Sequence, residues 1–436
     1  MINQKEFFIK KSIKYGVIAK FIAVFIQLGL IPLAIGRIGI ESFSIYSILI
    51  AFFSSSKIIC SIVTDNSLTL NLIEARNNND YELQKKVFST SFFTAFFLAT
   101  FLMIIFIFIF LSNNLQWIFD GQLLENNEFI YAYFASIVLL IFFDICLKPF
   151  DAVLSAFQLI YLSNKFLIIN NILKIIFIFI FLIYPSITFF IVCNFLPLLI
   201  STIIPALFFL KRYKYMMPNI KYFCFGALKI LVKRGVLLSL TKISTYIYFS
   251  LPIIIASNKL TLLDVGYISG MFAIINFLGS ILTILTRTLL PSLKDTKNEN
   301  EYIWRNKIIL KFSKIIIFSI LTTALLLFIF GNQFLSFYLR NNVELNNLVI
   351  LGWALIYALS NWEHFTYTIL LSINKDKQAI FLYFVGSIFT LLMIYYFNSS
   401  LNVILLCLCS GPLFFTTIPY ILIIKDSLKI KNYYFK

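Results

Sequence analysis

The sequence is poor in charge. Only 13% of its 436 residues are Asp, Glu, Lys or Arg, against 60% hydrophobic, and mean hydropathy is +0.92. A soluble domain of this size needs far more polar surface, so a soluble enzyme is excluded and a polytopic membrane protein is left. Acids are scarcest, 19 against 36 Lys plus Arg, for a net charge of +17. The bases form no patch or stripe of the kind that binds nucleic acid. They fall in the short connections between apolar runs, so no nucleic-acid partner is expected. There is one histidine, His364, and there are six cysteines, Cys60, Cys146, Cys193, Cys224, Cys407 and Cys409. The cysteines lie mostly within apolar stretches and lack metal-ligand or disulfide spacing, so neither a metal site nor a disulfide framework is expected. No G-x-x-x-x-G-K-[ST] loop, no Asp-x-Asp and no His-rich cluster occurs. Those gaps argue against nucleotide-driven pumping and against a membrane enzyme that handles glycans. The first apolar run is too long for a signal peptide and has no small-residue cleavage site, so it is expected to stay attached.

What the chain does have is apolar runs of about 20 residues, the length that spans a bilayer as a helix. Twelve are counted, at roughly 15–36, 43–64, 87–111, 130–150, 166–184, 187–210, 236–257, 264–288, 308–330, 347–371, 379–397 and 401–424. The N-terminus, the connections near 71–86, 211–235, 289–307 and 372–378, and the C-terminus hold most of the Lys and Arg. The opposite connections hold Arg37, Lys259 and Arg340 beside acids such as Asp120, Glu125 and Glu128. By the positive-inside rule both termini of this multi-pass protein are cytoplasmic. The segment 211–235 divides the chain into an N-terminal six-helix lobe (1–210), a basic cytoplasmic linker and a C-terminal six-helix lobe (236–436). The halves echo each other at an offset of about 220 residues: IPLAIGRIGIESFSIYS (31–47) against LPIIIASNKLTLLDVGYIS (251–269), and LTLNLIEARNNND (68–80) against LTRTLLPSLKDTKNEN (285–300). Two parallel repeats suggest a transporter with its site between lobes.

These stretches, with LSAFQLIYLSNKFLIINNILKII entering the fifth span and TLLPSL in the second half, resemble the multidrug/oligosaccharidyl-lipid/polysaccharide (MOP) exporter superfamily. Within it the chain is most similar to the O-antigen (Wzx-like) polysaccharide flippases, and the likeness covers almost the whole chain. The resemblance implies an all-α, V-shaped, two-lobed bundle that is not an enzyme. It implies export of an undecaprenyl-diphosphate-linked glycan, an O-antigen or lipopolysaccharide repeat unit, from the cytoplasmic to the periplasmic leaflet. The lipid bilayer, a polysaccharide polymerase and chain-length proteins are the implied partners. It also implies that spans 1, 2, 7 and 8 line a central cavity whose bases meet the anionic headgroup.

Helical spacing singles out the charges within the spans. On span 2, Ser47, Ser54, Ser61 and Asp65 recur at seven- and four-residue steps with Lys57 beside them, a polar stripe along most of the helix. Span 8 gives Asn276, Ser280, Thr283 and Arg287, span 7 gives Ser239, Lys242, Tyr246 and Ser250, and span 1 gives Lys20 and Gln27. Lys20, Lys57, Lys242 and Arg287 are the candidate diphosphate ligands. All four also lie roughly 2–15 Å from the inner boundary at 1.5 Å per residue, where long basic side chains can snorkel. Asp144 and Lys148 stand at i, i+4 with the acid first, as in a stabilising helical pair. Lys174 is near the middle of span 5, able to pair with Asp144 or to face the lumen. Glu363 and His364 are adjacent on span 10, about 100° apart, and so do not form a pair by themselves. Asp65 and Glu363 are the candidate ion-coupling sites for transport driven by H⁺ or Na⁺, with no other cofactor expected.

Two rival readings remain at this point. A polysaccharide polymerase or ligase would carry a large outward loop with catalytic residues, and no outward loop here exceeds about 20 residues. A drug/cation antiporter of the same superfamily would favour acids in its cavity, whereas spans 1, 2, 7 and 8 are mainly basic. The topology is directly testable: reporters fused after Asp80 or Tyr222 should read cytoplasmic, and those near Asn126 or Asn341 periplasmic. A reversed reading at either periplasmic position would break the charge-based orientation.

Overall fold

The computed structural model describes residues 14–16, 18–64, 66–112, 127–141, 145–157, 159–258, 260–294, 299–373, 375–397 and 400–424. All regular structure among them is helical. In hydrocarbon no water is available to the backbone, so a segment that crosses must pair its own N–H and C=O groups.

Residues 18–25 lead through a π-helical stretch, Ile26–Leu30, into α1 (Ile31–Thr64). The rest of the first half comprises α2 (Asn66–Asn77), α3 (Tyr81–Leu111), α4 (Asn127–Ile141), α5 (Lys148–Ala156), α6 (Ile160–Phe181) and α7 (Ile187–Arg212). The second half comprises α8 (Phe225–Phe249), α9 (Leu251–Ser257), α10 (Leu262–Lys294), α11 (Glu299–Leu339), α12 (Asn347–Ser372), α13 (Asp376–Phe397) and α14 (Leu401–Gly411). A second π-helical stretch, Pro412–Thr417, continues α14.

Nine helical runs among the described residues are long and apolar enough to cross a membrane. The first of them, Lys14–Asn77, is 64 residues long and breaks at Gly39 into two passages. The shorter apolar helix Asn127–Ile141 and α12, whose hydropathy is lowered by Asn361, Glu363 and His364, supply the remaining two of the twelve expected. Gly39 sits at φ 81°, ψ 164°. That region is essentially closed to residues with a Cβ, which is why a glycine stands where the first passage ends. The echoing stretches 31–47 and 251–269 both fall on the junction between the first two passages of a half, with Pro32 and Pro252 in the final turns of the incoming helix. Several helices overrun the expected spans: α3 begins at Tyr81, capped by Asp80, whose carboxylate accepts from the Leu83 amide at 2.8 Å. The expected fourth span is instead α4 followed by α5, with Pro149 at the start of the second piece.

The chain separates into two compact units, Met1–Ser239 and Leu240–Lys436, so the boundary falls inside α8. In the first unit, Leu68 and Leu72 of α2, Phe88 of α3, Phe150 and Val153 of α5, Phe209 of α7 and Leu231 of α8 form one core. The segment after α7 belongs to it. Met216 is fully buried there, and the segment is tied to α3 by the Tyr215 hydroxyl donating to Gln84 (3.0 Å), the Asn219 amide to Ser89 (3.3 Å) and the Cys224 amide to Thr90 (3.0 Å). In the second unit, the buried Trp353 indole of α12 donates to the Met271 carbonyl of α10 at 3.2 Å.

A side chain on Gly235 would run into the carbonyl of Ile62, so α8 and the end of α1 cross with backbones in contact. Neither backbone can yield. Gly235→Val should therefore destabilise the purified protein by about 3 kcal/mol, the upper range for overpacking. Gly226→Ala, nine residues earlier and in ordinary contact with Cys224 at 3.6 Å, should leave the unfolding midpoint in place. Equal midpoints for the two variants would refute the close crossing.

Candidate functional site

The second unit holds an open cavity of about 520 Å³ among α8, α10, α12, α13 and the segment after α14. Its polar wall is built at helical spacing: Thr241 and Thr245 on α8, Asn276 and Ser280 on α10, and Ser360, Glu363 and Tyr367 on α12. At about 30 Å³ per molecule it would take on the order of 15–20 waters. That volume has room for an ion with its hydration.

Glu363 is the chemical centre. Its side chain is only 7% exposed, and its Oε1 has no hydrogen-bond partner among the described residues. An ionised carboxylate at this depth needs a companion cation, or it must carry a proton. The surroundings offer oxygen. Tyr383 and Tyr420 line the same cavity, and Tyr248 stacks on Tyr383 with ring centroids 5.4 Å apart. The Tyr420 hydroxyl donates to the Ala379 carbonyl at 2.6 Å, which fixes α13 against the final helix. The Tyr383 and Thr245 hydroxyls lie 3.4 Å apart.

Small residues let these groups converge. A Cβ on Gly279 would come within 2.9 Å of the Asn361 Oδ1, so α10 can approach α12 only through that glycine. Asn361 is itself held by its amide donating to the Tyr357 carbonyl at 2.8 Å. Likewise a Cβ on Gly411 would collide with Thr390 and with the Gly386 backbone, so α13 and α14 touch there. Pro412, which follows, has no N–H to continue the α-helical ladder, and the backbone passes into its π-helical turn. The Pro412 carbonyl accepts from the hydroxyls of Thr416 and Thr417, each at 2.7 Å.

Four residues expected from sequence, Asn276, Ser280, Glu363 and His364, are thus brought together. Glu363 and His364, divergent on their own helix, both reach this one cavity. The others lie elsewhere. In the first unit Lys20 is exposed, and Gln27, Lys57, Lys148 and Lys174 are half-buried. Ser54 and Ser61 donate to the carbonyls of Ile50 (2.6 Å) and Ile58 (2.7 Å) on their own helix. In the second unit Lys242 is half-buried on α8. Asp65 and Asp144 lie outside the described residues, as do the side chains of Thr283 and Arg287. Missed by sequence reasoning were Asn361, Tyr367, Tyr383, Tyr420 and the threonines of α8. The four-residue step from Glu363 to Tyr367 and from Thr241 to Thr245 was the available signal.

The cavity predicts an accessibility pattern. With Cys224 replaced by serine, Asn276→Cys should react with a water-soluble maleimide, because Asn276 is exposed on the cavity wall. Ile268→Cys, fully buried on the same helix, should stay unlabelled. Equal labelling would show that no aqueous cavity is present.

No family sequence model matches the chain, and no curated protein matches it in sequence. Solved structures do match its backbone. An inward-facing multidrug resistance MATE family transporter of the MOP superfamily aligns over 96% of this chain and 99% of its own, with TM-score 0.74 and 12% identity. A MATE protein in complex with MaL6 aligns over 98% and 97%, with TM-score 0.62 and 13% identity. An outward-facing MATE transporter of the MOP superfamily aligns over 98% and 97%, with TM-score 0.54 and 13% identity. These neighbours are transporters, not enzymes. The chain therefore has the all-helical membrane fold of the MATE transporters of the MOP superfamily.

Proposed function

We propose that the chain is a secondary transporter of the bacterial inner membrane that carries a polyprenyl-diphosphate-linked glycan from the cytoplasmic to the periplasmic leaflet, coupled to cation binding at Glu363. The observation that carries this reading is that Lys20, Lys57 and Lys242 lie on helices long and apolar enough to cross the membrane, while the lining of the cavity that holds the carboxylate of Glu363 includes no lysine or arginine among the described residues. A diphosphate diester brings about two negative charges, and unpaired burial of such charges is prohibitive. Fixed cations in a partly dehydrated lumen lower that cost. The carboxylate is then left for H⁺ or Na⁺, exchanged as the transporter cycles. The glycan would pass to a polysaccharide polymerase and chain-length proteins.

A drug/cation antiporter is the second reading, favoured by the multidrug transporters that share the fold. It makes Glu363 a ligand for the cationic cargo.

One assay separates them. In proteoliposomes, movement of a fluorescent polyprenyl-diphosphate glycan should accelerate with an imposed H⁺ or Na⁺ gradient. Lys57→Gln should slow it about tenfold, the worth of one charge-assisted hydrogen bond, with insertion unchanged. Glu363→Gln should abolish the response to the gradient while leaving slow exchange. Transport indifferent to both gradients, or full activity in a Lys57→Gln/Lys242→Gln double variant, would sink the flippase reading. Gradient-driven accumulation of a cationic dye, lost in Glu363→Gln, would establish the antiporter.

A further inference from the structure

The connection between the two halves, residues 211–235, carries seven bases and no acid. Bases in a cytoplasmic connection set topology and need no further role. Two features exceed that requirement. First, the connection is held to α3 by its hydrogen bonds and yet turns large apolar side chains outward. Met217, Ile220 and Phe225 are 66%, 58% and 77% exposed. Second, it leads into a groove. The opening turns of α8 use one face, Ala227, Leu231 and Gly235, to pack into the core. The opposite face, Ile230, Lys233 and Leu237, borders a cavity of about 690 Å³ shared with Leu70 of α2 and Val87 of α3. The volume falls in the range of about 300–1,000 Å³ typical of small-molecule sites.

We infer that this face of the first unit binds an anionic phospholipid of the adjoining leaflet, an acyl chain against Leu70, Ile230 and Leu237 and the phosphate at Lys229 and Lys233. The apolar floor needs an apolar occupant, and the rim selects its charge. Arg234 is committed to the groove's own wall, donating to Glu74 at 2.8 Å and to Asn71 at 3.0 Å. Lys229 and Lys233 are exposed beside it, one helical turn apart. Outward Met217, Ile220 and Phe225, flanked by Lys214 and Lys221, match an interfacial segment resting at headgroup level. Polybasic segments at this depth attract anionic headgroups. This inference rests on the membrane fold and not on the cargo.

The test uses the full chain in detergent, with phosphatidylglycerol and phosphatidylcholine as probes. Native mass spectrometry should show preferential retention of phosphatidylglycerol, and that lipid should raise the thermal unfolding midpoint. Lys229→Gln/Lys233→Gln should cut its retention by about five-fold per lysine. Ile230→Trp fills the groove from a position already 46% exposed; it should also lower retention without moving the lipid-free midpoint. Equal retention of the two lipids, or undiminished phosphatidylglycerol in the double lysine variant, would overturn the assignment. So would displacement of phosphatidylglycerol by farnesyl diphosphate at matched concentration, which would make the groove a port for lipid diphosphates.

Discussion

A backbone placed in hydrocarbon has to satisfy its own hydrogen bonds, and almost everything else in this molecule follows from that requirement. It makes every described regular element a helix, and it sets how polar side chains behave inside them. Ser47, Ser54, Thr64, Thr94 and Ser244 each return their hydroxyl to a carbonyl one turn back, at 2.6–2.9 Å. A hydroxyl satisfied in this way costs little at depth and makes no demand on a partner. A polar stripe of serines and threonines is therefore compatible with lining a lumen and equally with facing another helix. Amide and carboxylate side chains are different. Asn361 uses one amide hydrogen on its own helix, and Glu363 has no donor to return.

One departure from the helical ladder lies beside the cavity. Pro412 interrupts the ladder, and the π-helical turn that follows precedes Tyr420, which lines the cavity with Glu363. An uninterrupted α-helix would rotate Tyr420 by about 100° per residue inserted or removed, away from the cavity. The turn is kept in place by contacts that only glycine permits, Gly411 against Gly386. Proline and glycine, both poor at building helices in water, thus shape the turn that precedes Tyr420 on the cavity wall.

Much of the fold was legible in the sequence because hydropathy and loop charge respond to the bilayer directly. The twelve passages and the junctions between the first two passages of each half could be located from composition and repeats. The finer elements could not. The α4–α5 break and the packing of 211–224 onto α3 depend on contacts between segments distant in the chain, such as Cys224 with Thr90. The site was half legible. Charge in a span is conspicuous, so Glu363 and His364 stood out, and Asn276 and Ser280 followed from four-residue steps. Tyr383 and Tyr420 did not, since 23 tyrosines and 51 phenylalanines are spread along the chain. A tyrosine among so many aromatics becomes informative only when it is seen lining the same cavity as an acid.

The same physics explains how this backbone overlays MATE transporters at 12–13% identity. Helices in lipid need apolar residues at the surface and small residues where backbones cross, and Leu, Ile, Phe and Val meet the first demand interchangeably. Sequence can drift widely under that constraint while the path of the chain persists. Cargo choice is set by different terms. A cation or a diphosphate is discriminated by one or two charges in a region of low dielectric, where each is worth far more than in water. Those few positions leave almost no trace in overall identity. Fold and cargo are consequently recorded in separate parts of the sequence, the first in the many apolar residues and the second, in the function proposed above, in Lys20, Lys57, Lys242 and Glu363.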